Sequence, residues 1–200
     1  MRLRILFVLV SGLLGLPVTA QRITWGLEWG IAGTVFSHHD YQYTTLEGHH
    51  IDQHFNDTQF HVQGLMTARI GLQTSRRLNV SLVSGWQGLQ YGIRCIPVSL
   101  RVTYAMGADP EAAGVSTFLE GGIGIKENLK GNAGHFAKAG LSYRIPLGYS
   151  VKLCMNAAAQ GSFCEPAIYD PYDNIYVDES HLEYSYRFSL SPVISISLEF

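Results

Sequence analysis

The sequence lacks several features that would assign it to a common class. Its 200 residues carry 14 Lys and Arg against 16 Asp and Glu, so no basic excess is available to bind nucleic acid. It has no apolar run of the roughly 20 residues that a membrane-spanning helix needs. It also contains no glycine-rich phosphate loop and no Cys-x-x-Cys pair. These absences weigh against a nucleic-acid-binding protein, a helical membrane protein and the common cofactor-dependent enzymes.

The amino terminus is typical of a signal peptide. Arg2 and Arg4 precede an apolar stretch over 5–18, and the small residues Thr19 and Ala20 come just before Gln21. The apolar stretch is about 14 residues long, which is too short to span a bilayer as a helix. We therefore predict a cleaved signal peptide over residues 1–20 and a single mature domain over residues 21–200.

What the sequence has instead is alternation, which is clearest at its carboxyl-terminal end. From Leu182 to Phe200 every even position is apolar, and the odd positions are polar except for Val193. A period of two predicts a β-strand with one apolar and one polar face. A strand of this length is typical of a transmembrane β-barrel, whose strands face lipid outside and polar side chains inside.

Seven further segments alternate in the same way. They begin near Trp25, Phe60, Leu78, Ile96, Val115, Ala137 and Tyr149. Short connections alternate with mostly longer ones, such as 37–58 and 161–181, which matches short periplasmic turns and longer surface loops. We therefore predict an all-β fold, an eight-stranded antiparallel up-and-down transmembrane β-barrel. We expect the first half of the terminal strand to project above the membrane, paired with an extension of the seventh strand.

Two segments carry a resemblance to a known family. The stretches Ile96–Arg101 (IPVSLR) and Gly121–Gly124 (GGIG) resemble a barrel family abundant in Bacteroidetes, and the architecture is similar to OmpA-like or OmpX-like barrels. The resemblance implies a Gram-negative outer membrane, contact with its lipid and lipopolysaccharide, and no shared biochemical activity. It also implies that Phe200 is part of the signal read by the barrel assembly machinery.

Five inward-facing charges fall at one predicted depth. Each lies about four to six residues from the turn end of its strand, on the order of 10–15 Å along the barrel. They are Glu28, Arg69, Arg101, Glu120 and Lys152. Because an eight-stranded barrel has room for side chains but not for a water channel, we predict an interlocked charge layer that plugs the interior.

The cysteines and the long loops leave alternatives open. With Cys95, Cys154 and Cys164, an odd number in an exported chain, at least one has no intramolecular partner. We favour a Cys95–Cys164 disulfide near the outer rim, with Cys154–Cys164 as the alternative. The loop over 161–181 combines acidic residues with tyrosines and is expected to pack against the histidine-rich loop or to bind an extracellular ligand or protein.

Six of the eight histidines lie between His38 and His61, together with three aspartates. Such side chains suit zinc, copper or nickel, but their spacing matches no tight metal template, so we predict no metal and no cofactor. We predict a non-enzymatic outer-membrane barrel with a structural or surface-interaction role. The alternatives are a lipid A-modifying barrel enzyme, for which Ser180, His181 and Glu183 are the nearest constellation, and an accessory for small-solute or metal uptake.

Overall fold

A computed structural model describes residues 22–58, 60–90, 93–107, 112–126, 134–148, 150–171, 174–178 and 180–200. The strands are β1 (Arg22–Thr34), β2 (Phe36–Thr44), β3 (His50–Asp57), β4 (His61–Gln73), β5 (Leu78–Gln90), β6 (Ile93–Ala105), β7 (Gly114–Lys126), β8 (Gly134–Pro146), β9 (Lys152–Cys164), β10 (Tyr169–Asp170), β11 (Ile175–Tyr176) and β12 (Leu182–Glu199). Within these ranges, no helix has the length and apolar character needed to cross a membrane. The predicted signal peptide and Tyr149 lie outside the described residues.

Eight of these strands close into a barrel. They pair in the order β1-β4-β5-β6-β7-β8-β9-β12, and β12 returns to β1 from Gly26↔Glu199 to Ala32↔Val193. Every neighbouring pair is antiparallel. The predicted eight-stranded antiparallel barrel is therefore confirmed. Closure matters physically because an open edge in hydrocarbon would leave N–H and C=O groups unpaired, at a cost of several kcal/mol each.

The barrel exterior is apolar and most of the interior is polar. Side chains such as Ile70, Leu119 and Ile194 are 59–64% exposed, whereas the residues next to them in the chain point into the lumen. A contiguous apolar surface of this kind is foreign to soluble monomers. On strands of 13 residues, which exceed the roughly 9–11 residues that a tilted transmembrane strand needs, it is the surface of a β-barrel membrane protein.

The predicted loop over 37–58 is a β-hairpin made of β2 and β3. β2 pairs with the first half of β12, from Leu182↔Tyr43 to Leu190↔Phe36, whereas β9 pairs with β12 no further up than Cys164↔Arg187. The predicted extension of the seventh strand is therefore confirmed as far as Arg187, but above Arg187 the prediction is wrong, because β12 pairs there with β2, on its other edge. Only Val35 separates β1 from β2, so the β1–β12 seam continues upward as the β2–β12 pairing. The hairpin turns at Gly48, whose φ of 87° favours glycine.

The second long loop contains a two-residue ladder. β10 pairs with β11 through Tyr169↔Tyr176 and Asp170↔Ile175. The loop approaches the hairpin where the amide of Thr44 donates to the carbonyl of His181 at 2.9 Å.

No disulfide forms among the described residues, and Cys95, Cys154 and Cys164 are all buried in the barrel. Cys95 lies on β6 and Cys164 on β9, with β7 and β8 between them. Strands are spaced about 4.8 Å apart, and a disulfide needs Cα atoms within about 7 Å. Cys154 and Cys164 lie near opposite ends of β9. The predicted Cys95–Cys164 disulfide and its alternative are therefore both wrong.

Candidate functional site

A buried ionic network crosses the middle of the lumen. Alternation along β1, β6, β7 and β8 directs Glu28, Arg101, Glu120 and Lys138 inward, where each is at most 3% exposed. Arg101 Nη1 lies 2.6 Å from Glu28 Oε2, and Arg101 Nη2 lies 2.6 Å from Glu120 Oε2. Lys138 Nζ lies 3.6 Å from Glu120 Oε1. Two cations thus face two carboxylates, so the layer is balanced in charge.

Neighbouring polar side chains complete the hydrogen bonding of this network. Ser195 Oγ donates to Glu28 Oε1 at 2.6 Å, and Ser99 Oγ donates to Glu120 Oε1 at 2.7 Å. Lys138 Nζ donates to Gln87 Oε1 at 3.0 Å, and Gln87 Nε2 donates to Gln160 Oε1 at 2.8 Å. Because buried charges are tolerated when paired and hydrogen-bonded, this arrangement is compatible with a filled interior.

The structure brings together three of the five residues predicted for the charge layer: Glu28, Arg101 and Glu120. Arg69 lies nearer the turn end, where its Nη2 is 3.1 Å from Glu199 Oε2. Lys152 is the first residue of β9 and lines the turn-end mouth of the lumen. Arg69 departs from the predicted layer because the β1–β4 register places it opposite Gly26, nearer the turn end than Glu28. Lys152 departs because β9 begins at that residue.

Sequence analysis did not place Lys138 in the layer. Lys138 lies directly opposite Glu120 in the β7–β8 register, which begins at Gly114↔Arg144 rather than at Pro146. Counted from the predicted turn at Pro146, Lys138 lies deeper than the four to six residues assumed for the layer. Cross-strand alignment of Glu120 with an inward lysine on the next strand was the signal that could have found it.

Phe200 lies at the turn end of the closing seam. Its ring stacks on that of Trp25 with centroids 4.0 Å apart and planes 8° apart. The two backbones exchange hydrogen bonds of 3.1 and 2.8 Å. The residue predicted to belong to the assembly signal therefore pairs β12 with β1 at the point where the barrel closes.

The hairpin above the membrane-spanning wall buries one histidine. His39 is 5% exposed, with Tyr41 and Phe55 against its ring. Arg187 Nη2 donates to its Nδ1 at 3.0 Å. Burial, together with the nearby charges of Arg187 and His38, lowers the pKa of His39 to about 4. His39 is therefore neutral at physiological pH.

Other histidines of the hairpin contact carboxylates. The Asp40 carboxylate contacts three side chains. His54 and the hydroxyl of Tyr186 both bind it, and His38 Nε2 lies 3.8 Å away. His50 Nδ1 lies 3.5 Å from Glu183 Oε1. Among the residues that the structure describes, no group of three or more His, Cys, Asp or Glu side chains is placed to hold a metal ion.

Ser180, His181 and Glu183 do not form a catalytic triad. Ser180 Oγ donates to Asp178 Oδ1 at 2.8 Å and lies 3.1 Å from His181 Nδ1, while Glu183 contacts His50. A triad needs a carboxylate that orients the histidine on its second nitrogen. Here the carboxylate binds the hydroxyl itself, as in a polar turn.

No family model matches the sequence, and no curated protein matches it significantly. Among solved structures, the chain is similar to the outer membrane protein AlkL in DMPC bilayers, with 14% identity and a TM-score of 0.44, covering 92% of this chain and 93% of that one. It is also similar to Neisserial surface protein A, with 10% identity and a TM-score of 0.41, covering 91% of this chain and 100% of that one. The outer membrane protease OmpT from Escherichia coli is similar at 8% identity and a TM-score of 0.41, covering 93% of this chain and 99% of that one. At these values the likenesses carry no argument about function, and the fold rests on the strand pairings themselves.

Proposed function

We propose that the protein is a non-enzymatic outer-membrane β-barrel with a closed lumen, which presents a folded histidine-rich hairpin at the cell surface. The observation that carries this proposal is the balanced, buried network of Glu28, Arg101, Glu120 and Lys138 across the lumen. A conducting pore needs a continuous water path, and we infer that this buried layer interrupts such a path at mid-height.

A second obstruction lies above the ionic layer. Leu89, Cys95 and Phe136 form a buried apolar cluster near the loop end of β5, β6 and β8. Between the two layers, Gln87 and Gln160 are fully buried and bonded to each other. We infer that these polar and apolar side chains leave no continuous water path through the lumen, which supports a structural or surface-interaction role over solute uptake.

Strand pairing on both edges of β2 fixes the position of the hairpin. β2 is bonded on one side to β12 and on the other to β3, so its backbone continues the barrel wall upward. Its exposed residues include Leu46 and Phe55, at 64% and 43%. A rigid scaffold that raises side chains above a membrane suits recognition of an extracellular ligand or protein.

The apolar outer surface of the barrel supports the proposed outer-membrane location and the proposed lipid partners. The apolar band would contact outer-membrane lipid, and the loop end would lie among lipopolysaccharide. The signal peptide over 1–20 would direct export, and Phe200 would take part in recognition by the barrel assembly machinery. The short turns would face the periplasm and the hairpin the cell exterior.

Two measurements test this proposal. The refolded barrel in planar bilayers is expected to show no nanosiemens-class open channel. On intact cells, a membrane-impermeant maleimide is expected to label Gln53→Cys on the hairpin. The matched variant Ser75→Cys, in the β4–β5 turn, should be labelled only after the outer membrane is opened. A stable open channel, or the reverse labelling pattern, would contradict the proposal.

A further inference from the structure

The turn end of the lumen opens into a cavity of about 50 Å³ with strongly cationic walls. Besides the buried Arg101, six cationic side chains line it, and we call them the cationic mouth. They are Arg22, Arg69, Arg76, Arg77, Arg144 and Lys152. Among the described residues that line it, Glu199 is the one side-chain carboxylate, and it already binds Arg69.

This positive excess is not needed to fill the barrel. Deeper in the lumen, Arg101 and Lys138 are matched by Glu28 and Glu120. The cationic mouth instead gathers charge from β1, β4, β8, β9 and the β4–β5 turn around one opening. A cleft lined by one sign of charge, with low-dielectric walls, focuses its field and concentrates ions of the opposite sign.

The side-chain chemistry narrows the ligand class. Five of the six cations are arginines, whose planar guanidinium groups bind phosphate and carboxylate oxygens through paired hydrogen bonds. Thr24, Ser150 and Asn156 add hydroxyl and amide groups to the same walls. The small volume admits one compact oxyanion, or the end group of a larger molecule, but not a long chain.

We propose that the cationic mouth is a binding site for a multivalent phosphate, presented from the compartment that the turns face. The site is separate from the hairpin and does not depend on the hairpin having a ligand.

The test is equilibrium dialysis of inorganic pyrophosphate against the full barrel refolded in phosphatidylcholine nanodiscs. Saturable binding that weakens with added salt is expected. The double variant Arg76→Gln/Arg77→Gln, which alters exposed turn side chains, should bind about tenfold more weakly or worse, since two charge-assisted hydrogen bonds are lost. Heat-modifiable gel mobility reports whether each variant is folded.

A matched control is available at the other end of the barrel. Arg94 is an exposed cation packed over Trp86, outside the cationic mouth, so Arg94→Gln removes one positive charge, as Arg144→Gln does, without touching the site. Its pyrophosphate affinity should equal that of the unaltered barrel. Arg144→Gln, on a different strand from the turn variant, should weaken binding and guards against failure of the double variant to fold.

Three results would overturn the proposal: no saturable pyrophosphate binding, an equal loss in Arg94→Gln, or tighter binding of citrate than of pyrophosphate. Repeating the dialysis in phosphatidylglycerol nanodiscs identifies the source of the phosphate. An unchanged affinity indicates a soluble phosphate, whereas competition by the lipid indicates that headgroups occupy the mouth.

Discussion

Arg101 joins the two carboxylates of the lumen network, and its replacement tests how the interior is held together. In Arg101→Met, Glu28 and Glu120 would share the buried interior with Lys138 as the one remaining cation of the layer. Removing one partner of a buried ion pair costs about 3–5 kcal/mol, because the charge left behind is poorly solvated. We expect the free energy of unfolding to fall by that amount.

The charge balance can be restored without restoring Arg101. The double variant Arg101→Met/Glu28→Gln leaves Glu120 facing Lys138, one anion against one cation. Since replacing a buried ion pair by uncharged groups of similar volume is often close to neutral, most of the lost stability should return. The two substitutions therefore combine non-additively, as expected for groups in one network.

Urea unfolding in lipid vesicles, followed by tryptophan fluorescence and by heat-modifiable mobility, measures both effects. Arg94→Met provides the control, because an exposed side chain away from such a network should change stability by no more than about 0.5 kcal/mol. If Arg101→Met behaved like this control, the network would not stabilise the fold. A double variant less stable than the single one would refute the argument from charge balance.

Three further predictions concern other parts of the molecule. Because the pKa of His39 is lowered to about 4, the hairpin should be fully stable above pH 6.5 and lose at most about 3 kcal/mol of stability as the pH falls to 4. Limited proteolysis should show this loss of stability. The loss should be smaller in His39→Gln but unchanged in His49→Gln. Phe200→Ala should lower the fraction of barrel that folds into vesicles, measured by gel mobility, while Phe200→Trp preserves a ring at the seam. Gly30→Ala should lower the urea midpoint, because its Cβ would lie 2.3 Å from a carbonyl oxygen on β12, whereas Gly121→Ala meets nothing within 4 Å and should not.

The barrel could be predicted from the sequence because lipid and lumen impose opposite demands on successive residues. Along β12 the environment changes with every residue from Leu190 to Leu198, so the alternation identifies both the strand and its outward face. Eight such segments require closure, since no edge is tolerated in hydrocarbon. The fold and the inward or outward orientation of the side chains could therefore be predicted from the alternation, without knowledge of any contact.

The hairpin could not be predicted in this way, because both faces of β2 and β3 lie outside the membrane-spanning wall. Polar residues occupy even buried positions of β2, such as His39 and Asp40, so no apolar period distinguishes the hairpin from a solvated loop. Its pairing with β12 was also missed, since no pattern in the sequence shows that β2 continues upward along the edge of β12 opposite to β9. Lys138 was missed for a related reason, a shift of two residues in strand register.

The pairing of charged side chains differs between the middle of the barrel and its two ends, and the difference has a physical cause. At mid-height the surroundings are low in dielectric, so Arg101 and Lys138 must be matched by carboxylates if the barrel is to fold. At either end water solvates an excess of one charge, and the fold tolerates that excess at little cost. Mid-lumen charges are therefore constrained by stability, whereas an excess of charge at an end can serve recognition.

The acidic and histidine-rich hairpin lies at one end and the cationic mouth at the other. Substitutions at the mouth should consequently alter ligand affinity with little effect on unfolding, and substitutions at mid-height should do the reverse.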